Sequence, residues 1–280
     1  MTGAPAARTG RGTRSGGAGA RAGVAVAAAT AALAACTAGP GATPGSGTAD
    51  GSGQGGSAGT ALTVFAAASL VDVAEQVIDA VEAEHPDLTV SLSLAGSSDL
   101  VSQVVSGAPA DVLVTADETT MARAVEADAV EQPVVVALNH PVLVVPAGNA
   151  AHVTGLDDSL EDAVLVVCAP QVPCGAATGR VEQASGVTLN PVSEESSVTD
   201  VLNKVSSGQA DAGLVYVTDV AGSAGKVVAV DFPEATDAVN TYPIAALRDA
   251  GNVELARRFV GYVTGEVGQR VLGEAGFGRP

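Results

Sequence analysis

Short apolar runs alternate with amphipathic stretches along the first half of the chain after residue 60. In order, the pattern predicts a strand over 62–66, a helix from Ser69 that ends before His85-Pro86, a strand over 88–96, a helix opened by Ser97 or Ser98, a strand over 110–117, and a helix over 118–128 capped by Asp117. Strands that alternate with helices predict an α/β fold with a largely parallel sheet.

The same alternation continues to the end of the chain. The pattern predicts a buried strand at HPVLVVPAG, a strand at AVLVVCAP followed by a helix from about Ala176, a helix carrying Val198, Val201, Leu202 and Val205, a strand at AGLVYV, a strand at TYPIAAL, and a pair of helices over 253–277. We therefore expect two α/β lobes with a C-terminal return to the first.

The first 35 residues differ in composition from the rest. They contain four arginines and no acidic residue, and they lead into the apolar run GVAVAAATAALAAC at 23–36. This composition is typical of a secretory signal peptide, and the run is shorter than the about 20 residues of a membrane span. LAAC at 33–36 resembles a bacterial lipobox, which implies that Cys36 is lipidated and anchors the protein to the outer face of the cell membrane. The alternative is an ordinary cleaved signal with an incidental cysteine.

Residues 36–60 consist mainly of Gly, Ser, Thr, Ala and Pro, which predicts a flexible tether. The chain has 13 Lys+Arg and 31 Asp+Glu, and four arginines leave with the signal peptide, so the mature net charge is 9 − 31, or −22. Only two lysines are present, Lys204 and Lys226. This balance excludes a nucleic-acid partner and suits a soluble domain that stays monomeric.

Two serines stand where a predicted strand gives way to a predicted helix. Ser69 follows the first strand, and the pair Ser97-Ser98 follows the second. In an open α/β sheet the ligand crevice lies beyond these strand ends, and a helix N-terminus favours an anion. The structural alternative is that each serine only caps its helix, and Ser69-Leu70-Val71-Asp72 fits a capping box.

Several separated motifs together suggest a family. They are VFAAASL at 64–70, AGSSDL at 95–100, SGAPADVLVTAD at 106–117, APQVPCG at 169–175, AGLVYVTDV at 212–220, FPEATDAVNTYPIAAL at 232–247 and GEVGQRVLGEAGF at 265–277. In this order and spacing they resemble the molybdate-binding proteins of bacterial ABC importers, from Leu62 to Phe277. The resemblance implies a two-lobed periplasmic-binding-protein fold of type II, with a mostly parallel sheet in each lobe and the ligand cleft between the lobes. It places lobe 1 at 61–138 plus 243–280 and lobe 2 at 139–242.

The resemblance also implies a set of neutral donors for the anion. They are the hydroxyls and N–H groups of Ser69 and Ser97, the N–H groups of Cys174 and Val198, and the hydroxyl of Tyr216. Ser98 is the alternative to Ser97. The implied function is capture of molybdate, and of tungstate, and delivery to an ABC permease with its ATPase subunit; no enzyme activity, cofactor or directly coordinated metal is implied.

The chemistry of a protonless tetrahedral dianion suits such a site, because the anion offers only acceptors. No lysine or arginine lies in the donor motifs. Sulfate has the same acceptor pattern and remains an alternative ligand, whereas a carboxylate binder would be expected to use an arginine clamp from Arg123, Arg180 or Arg248.

Two cysteines lie close together in the second half of the chain. Cys168 and Cys174 flank a turn-like Pro-Gln-Val-Pro segment, and outside the cytoplasm they are expected to form a disulfide rather than a metal site. A serine hydrolase is the competing class for Ser69, but the nucleophile elbow G-x-S-x-G is missing there and no histidine lies in a partner motif.

Overall fold

The computed structural model describes residues 61–280. The predicted signal peptide, the predicted tether and Cys36 lie outside the described residues. The strands in this range are β1 (Ala61–Ala67), β2 (Thr89–Ala95), β3 (Val112–Val114), β4 (Val134–Asn139), β5 (Pro141–Pro146), β6 (Leu165–Cys168), β7 (Ser193–Glu195), β8 (Ala212–Tyr216), β9 (Val227–Val230) and β10 (Asn240–Ala246). The helices are α1 (Ala74–Glu84), α2 (Ser97–Val105), α3 (Glu118–Glu126), α4 (Pro173–Ser185), α5 (Val198–Ser206), α6 (Val217–Gly222), α7 (Val253–Thr264) and α8 (Glu266–Glu274).

The strands form two five-stranded sheets, with the orders β2-β1-β3-β10-β4 and β7-β6-β8-β5-β9. The α/β prediction is confirmed, and the two sheets flanked by helices give a two-lobed type II fold. Both sheets have the same plan. The second strand in the order, β1 or β6, lies between its two successors in the chain, and the fourth position is taken by a strand that the chain enters on leaving the other sheet.

The sheets are mostly parallel as predicted, because four of the five strands in each run in one direction, but both sheets are mixed. In the first sheet, β1 pairs in parallel with β2 and β3, but β10 is antiparallel to both β3 and β4. In the second, β6 is parallel to β7 and β8, but β5 is antiparallel to β8 and β9. β5 and β10 enter from the opposite lobe and so run against their neighbours, a reversal that a strand-helix alternation does not reveal.

The chain passes between the sheets twice. The first passage is the single residue His140 between β4 and β5, and the second is the segment between β9 and β10, which contains a 3-10 turn at Pro233–Asp237. Asn139 at the end of β4 and Asn240 at the start of β10 are register partners, so the two passages lie side by side.

Apolar side chains fill both faces of each sheet. In the first sheet, one face packs against α1, α7 and α8 around Phe259, and the other packs against α2 and α3 around Leu100 and Met121. The second sheet is likewise covered on both faces. Within residues 61–280, no helix combines the length and apolar character that crossing a bilayer requires.

The predicted helix from Ser69 is the clearest error in local structure. Residues Ala68–Leu70 form a 3-10 turn, and α1 begins only at Ala74. Val71 and Val73 donate to carbonyls three residues earlier, those of Ala68 and Leu70. Leu70 and Val73 are buried, so the apolar residues keep a helical spacing although α1 begins only at Ala74.

Candidate ligand-binding site

A small cavity lies between the two sheets, beyond the carboxyl ends of their parallel strands. It is lined by Ala67, Ala68, Ser69, Gly96, Ser97, Ala116, Val172, Pro173, Cys174, Ser196, Ser197, Val198 and Tyr216. The space open to the centre of a water-sized sphere is about 20 Å³. One water needs about 10–15 Å³ on that measure. The cavity is therefore matched to a compact ligand.

All five predicted donor residues line this cavity. Ser69 and Ser97 come from the first lobe, and Cys174, Val198 and Tyr216 come from the second. Each follows or ends a strand of its sheet, which is where an open α/β sheet places its ligands. The structure thus brings together five positions that are spread over 148 residues of sequence, from 69 to 216.

Ser69 does not cap a helix. The 3-10 turn that contains it has Ala67 as N-cap and no side-chain capping bond. The hydroxyl Oγ of Ser69 instead lies 2.9 Å from the hydroxyl Oη of Tyr242, and both residues are buried. Because this turn has only three residues, Ser69 does not lie at the N-terminus of a helix as expected. The polar groups at this position are those of the Ser69 side chain and the local backbone.

Ser97 and its neighbour Ser98 point to different places. Ser97 is the first residue of α2, makes no capping bond, and accepts a hydrogen bond at Oγ from the Ala116 N–H at 3.0 Å. Ser98 donates from Oγ to the carbonyl of Gln171 at 3.0 Å, across the gap between the lobes. Ser97 lines the cavity and Ser98 does not.

Tyr216 is the last residue of β8, and its hydroxyl is hydrogen-bonded to a buried asparagine. Asn240 Nδ2 donates to Tyr216 Oη at 2.7 Å, and both side chains are fully buried. Burial raises the pKa of Tyr216 well above its ordinary value. Burial likewise raises the pKa of Tyr242, so both phenols keep their protons and remain hydrogen-bond donors.

Cys174 and Val198 present backbone rather than side-chain donors. Cys174 is the second residue of α4 and Val198 is the first residue of α5. The N–H groups of the first helical turn have no partner inside the helix. Ser197, the N-cap of α5, accepts from the Asp200 N–H. Val198 lines the cavity.

A disulfide joins Cys168 and Cys174, with the two Cα atoms 5.6 Å apart. The bridged segment folds back tightly on itself, and the Val172 N–H donates to the carbonyl of Ala169. A Cβ on Gly175 would lie 1.9 Å from that same Ala169 oxygen, so only glycine fits directly after the bridge. The disulfide and this close approach hold the first turn of α4 against the end of β6.

No Asp, Glu, Lys, Arg or His side chain is among the residues that line the cavity. The lining includes the hydroxyl residues Ser69, Ser97 and Tyr216, and the helix starts at Cys174 and Val198 supply partial positive charge. Such a set can hold a compact oxyanion without a counter-cation. The Arg180 side chain lies behind it, bonded to Asn240 Oδ1.

The serine-hydrolase alternative lacks its base at this site. The side-chain partner of Ser69 is a tyrosine, whereas a nucleophilic serine needs a general base within hydrogen-bond reach. His85 stacks on Tyr262 with ring centroids 3.9 Å apart, in a groove beside α7 and α8.

Sequence reasoning missed three buried polar residues behind the donors: Asn139, Asn240 and Tyr242. Each lies in a strand, where a buried amide or phenol must find a hydrogen-bond partner. A signal was present, because an asparagine bounds each of the two apolar runs, VVVALN and NTYPIAA.

Comparison with known proteins identifies the family. A family model described as bacterial extracellular solute-binding protein matches residues 62–278. This chain belongs to that family. Among curated relatives of this solute-binding protein, the molybdate-binding protein ModA of Mycobacterium tuberculosis is 47% identical over 221 residues, which is 78% of this chain and 85% of the relative. ModA of Escherichia coli is 30% identical over 228 residues, 77% of this chain and 88% of the relative. The resemblance read from the motifs is thereby confirmed.

Solved structures agree with the fold. The periplasmic molybdate-binding protein of Azotobacter vinelandii superposes with a TM-score of 0.69 at 20% identity, covering 78% of this chain and 99% of that one. The sulfate-binding protein SubI of Mycobacterium tuberculosis superposes with a TM-score of 0.61 at 22% identity, covering 78% and 86%. At these identities the superpositions establish the two-lobed fold, which molybdate and sulfate binders share.

Proposed function

We propose that this solute-binding protein captures molybdate, and also tungstate, outside the cytoplasm and delivers it to an ABC permease with its ATPase subunit. The observation that carries the proposal is the cavity of about 20 Å³, whose lining residues include serine and tyrosine hydroxyls and two helix starts but no Asp, Glu, Lys, Arg or His. A protonless tetrahedral dianion offers only acceptors and therefore matches a lining of donors. The 47% identical relative named as a molybdate-binding protein supports the choice of anion.

The proposed ligands are the hydroxyls of Ser69, Ser97 and Tyr216 and the backbone N–H groups of Ser69, Ser97, Cys174 and Val198. Serine and tyrosine hydroxyls reach the anion from both lobes, so the anion favours the closed arrangement. We propose that the lobes are residues 61–138 with 243–280 and residues 139–242, and that they hinge about the two side-by-side passages near Asn139 and Asn240. The protein acts as a monomeric binder without enzymatic turnover.

Titration calorimetry tests this function directly. The full-length protein, purified in mild detergent, is titrated with molybdate, tungstate, sulfate and phosphate in one buffer. We expect tight binding of molybdate and tungstate and weak binding of sulfate and phosphate. Sulfate has the same charge and acceptor pattern as molybdate and is smaller, so tight binding of sulfate alone would replace the ligand while keeping the donor set. No binding of any of the four would refute the function.

Attachment to the membrane is a separate part of the proposal and depends on residues before 61. We propose that Cys36 receives the lipid and that residues 36–60 tether the binding domain to the outer face of the membrane. Metabolic labelling with a palmitate analogue should mark the wild-type protein and leave the Cys36→Ser variant unlabelled. Label that persists in the variant would refute the assignment of Cys36.

A further inference from the structure

The side chain of Asn240 occupies the junction between the two lobes. It is 1% exposed and lies at the start of β10, where the chain returns from the second sheet to the first. Its Nδ2 atom donates to the Ala116 carbonyl in the first lobe at 2.7 Å and to the Tyr216 hydroxyl in the second at 2.7 Å. A longer contact of 3.4 Å reaches the Pro173 carbonyl. One buried amide thus holds groups that belong to both walls of the cavity.

Arg180 determines which way this amide faces. Its guanidinium, projecting from α4, donates to Asn240 Oδ1 and lies 3.5 Å from the carbonyls of Ala238 and Val239. A guanidinium has only donors, so it must face the amide oxygen. The amide nitrogen must therefore point toward Tyr216 and Ala116, and the opposite orientation would set donor against donor.

This orientation has a consequence for the proton of Tyr216. The hydroxyl oxygen accepts from Asn240 Nδ2, which cannot accept in return. The Tyr216 O–H is then directed to another acceptor, and Tyr216 lines the cavity. Ser97 is arranged in the same way, because its Oγ accepts from the Ala116 N–H, a group that can only donate.

We infer that Asn240 is a positioning residue that directs the hydroxyl proton of Tyr216, and through the backbone of Ala116 that of Ser97, into the ligand cavity. The inference rests on the proposed function and explains its specificity. With both protons directed inward, these hydroxyls act as donors toward the ligand. An oxyanion that carries its own proton, such as hydrogen phosphate, needs an acceptor and is disfavoured by that arrangement.

The test is Asn240→Asp, which preserves shape but replaces the amide donor with an acceptor. The Tyr216 O–H is expected to turn to the new carboxylate and to present its oxygen to the cavity. The full-length protein in mild detergent is titrated with molybdate and with inorganic phosphate at pH 8, where phosphate is mainly the singly protonated dianion. We expect the molybdate Kd to rise about tenfold or more, and the preference for molybdate over phosphate to fall about tenfold or more.

A matched control makes the same substitution far from the site. Asn149 bonds the backbone of Val153 in the loop after β5, at the opposite end of that strand from the residue paired with Tyr216. Asn149→Asp should leave both Kd values unchanged. Should Asn240→Asp fail to fold, Arg180→Met removes the group that orients the amide while keeping an apolar stem, and it should lower the same preference.

A double-mutant cycle tests whether Asn240 affects ligand binding through Tyr216. In a Tyr216→Phe background, Asn240→Asp should weaken molybdate binding by a smaller factor than in the wild type. An equal factor would overturn the assignment to Tyr216. A loss of the same size for molybdate and phosphate, or no loss for either, would overturn the positioning role.

The outcomes also separate this inference from the proposed function. Wild-type protein that binds no tetrahedral anion would refute both, since the hydroxyls would have no oxyanion to serve. Wild-type protein that binds molybdate, together with an Asn240→Asp variant of unchanged selectivity, would refute the inference alone.

Discussion

Asp219 is a buried carboxyl group directly beside the site, and it makes the stability of the protein depend on pH. It is 2% exposed, and its Oδ2 accepts from the Tyr216 N–H at 2.8 Å. Burial, which outweighs this hydrogen bond, raises its pKa from the ordinary 3.8 to about 7. A pKa shift of one unit corresponds to 1.36 kcal/mol, so ionising Asp219 costs about 4 kcal/mol more in the native state than in the unfolded chain.

The sign of the effect follows from the raised pKa. Below pH 3.8 the carboxyl is neutral in both states, and its contribution to stability is fully present. Between pH 3.8 and about 7 the unfolded chain loses the proton while the native protein keeps it, so the contribution declines as the pH rises. Above about pH 7 both states are ionised and this group adds no further slope.

The perturbation is Asp219→Asn, which keeps an oxygen acceptor for the Tyr216 N–H and removes the charge. Urea unfolding of the wild type and the variant at pH 4, 6 and 8 gives the free energy of unfolding of each. We expect the variant minus wild-type difference to increase by about 4 kcal/mol between pH 4 and pH 8. A difference that is the same at pH 4 and pH 8, or that falls as the pH rises, would refute the reasoning.

An exposed aspartate with the opposite pKa shift serves as the control. The side chain and backbone of Ser159 lower the pKa of Asp157 by hydrogen bonding. Its carboxylate stabilises the native state at neutral pH, and that contribution is lost as the pH falls. For Asp157→Asn the variant minus wild-type difference should therefore become less unfavourable toward low pH, opposite in direction to Asp219→Asn.

Three further changes probe the cavity and its walls. Ser69→Ala removes a buried donor and should weaken molybdate binding by about 1–3 kcal/mol in calorimetry, whereas Ser102→Ala on the outer face of α2 should not; equal affinities would exclude Ser69 from the site. A Cβ on Gly96 would lie 2.7 Å from the Ser196 carbonyl across the cleft, so Gly96→Ala should lower molybdate affinity while the melting temperature without ligand changes little, and an unchanged affinity would contradict the close approach. Reduction of the Cys168–Cys174 disulfide loosens the turn that presents the Cys174 N–H and should therefore raise the molybdate Kd. Calorimetry with and without reductant compares the two states. Identical Kd values would show that the bridge does not organise the site.

Local patterns predicted most of the regular structure. α2 begins at Ser97 and α3 is capped by Asp117, whose carboxylate accepts from the Thr120 N–H at 2.7 Å, both as expected. Three strands were missed. β7 consists of the polar residues Ser-Glu-Glu, and β4 and β9 are partly exposed strands at the edges of their sheets. Short edge strands of this kind are defined by their partners more than by their own composition.

The site was predicted less completely than the elements around it. The motifs identified the cavity-lining position of Tyr216, but nothing in its neighbourhood in the sequence identified Asn240 as its partner. These two residues are 24 positions apart and lie in different sheets. The distinction between Ser97 and Ser98 also required the structure, because it depends on which side chain meets the Gln171 carbonyl of the other lobe.

The sequence by itself determined the α/β class, the order of most of the elements and, through the family resemblance of its motifs, five cavity-lining residues. These follow from spacing and motif, which are properties of short stretches of chain. The tertiary structure alone decided that β5 and β10 run antiparallel to their neighbours, that Ser69 lies in a 3-10 turn bonded to Tyr242, and that Asn240 orients Tyr216. Strand direction, hydrogen-bond partners and the burial that shifts a pKa arise from contacts between distant segments, so they exist only once the two lobes have folded together.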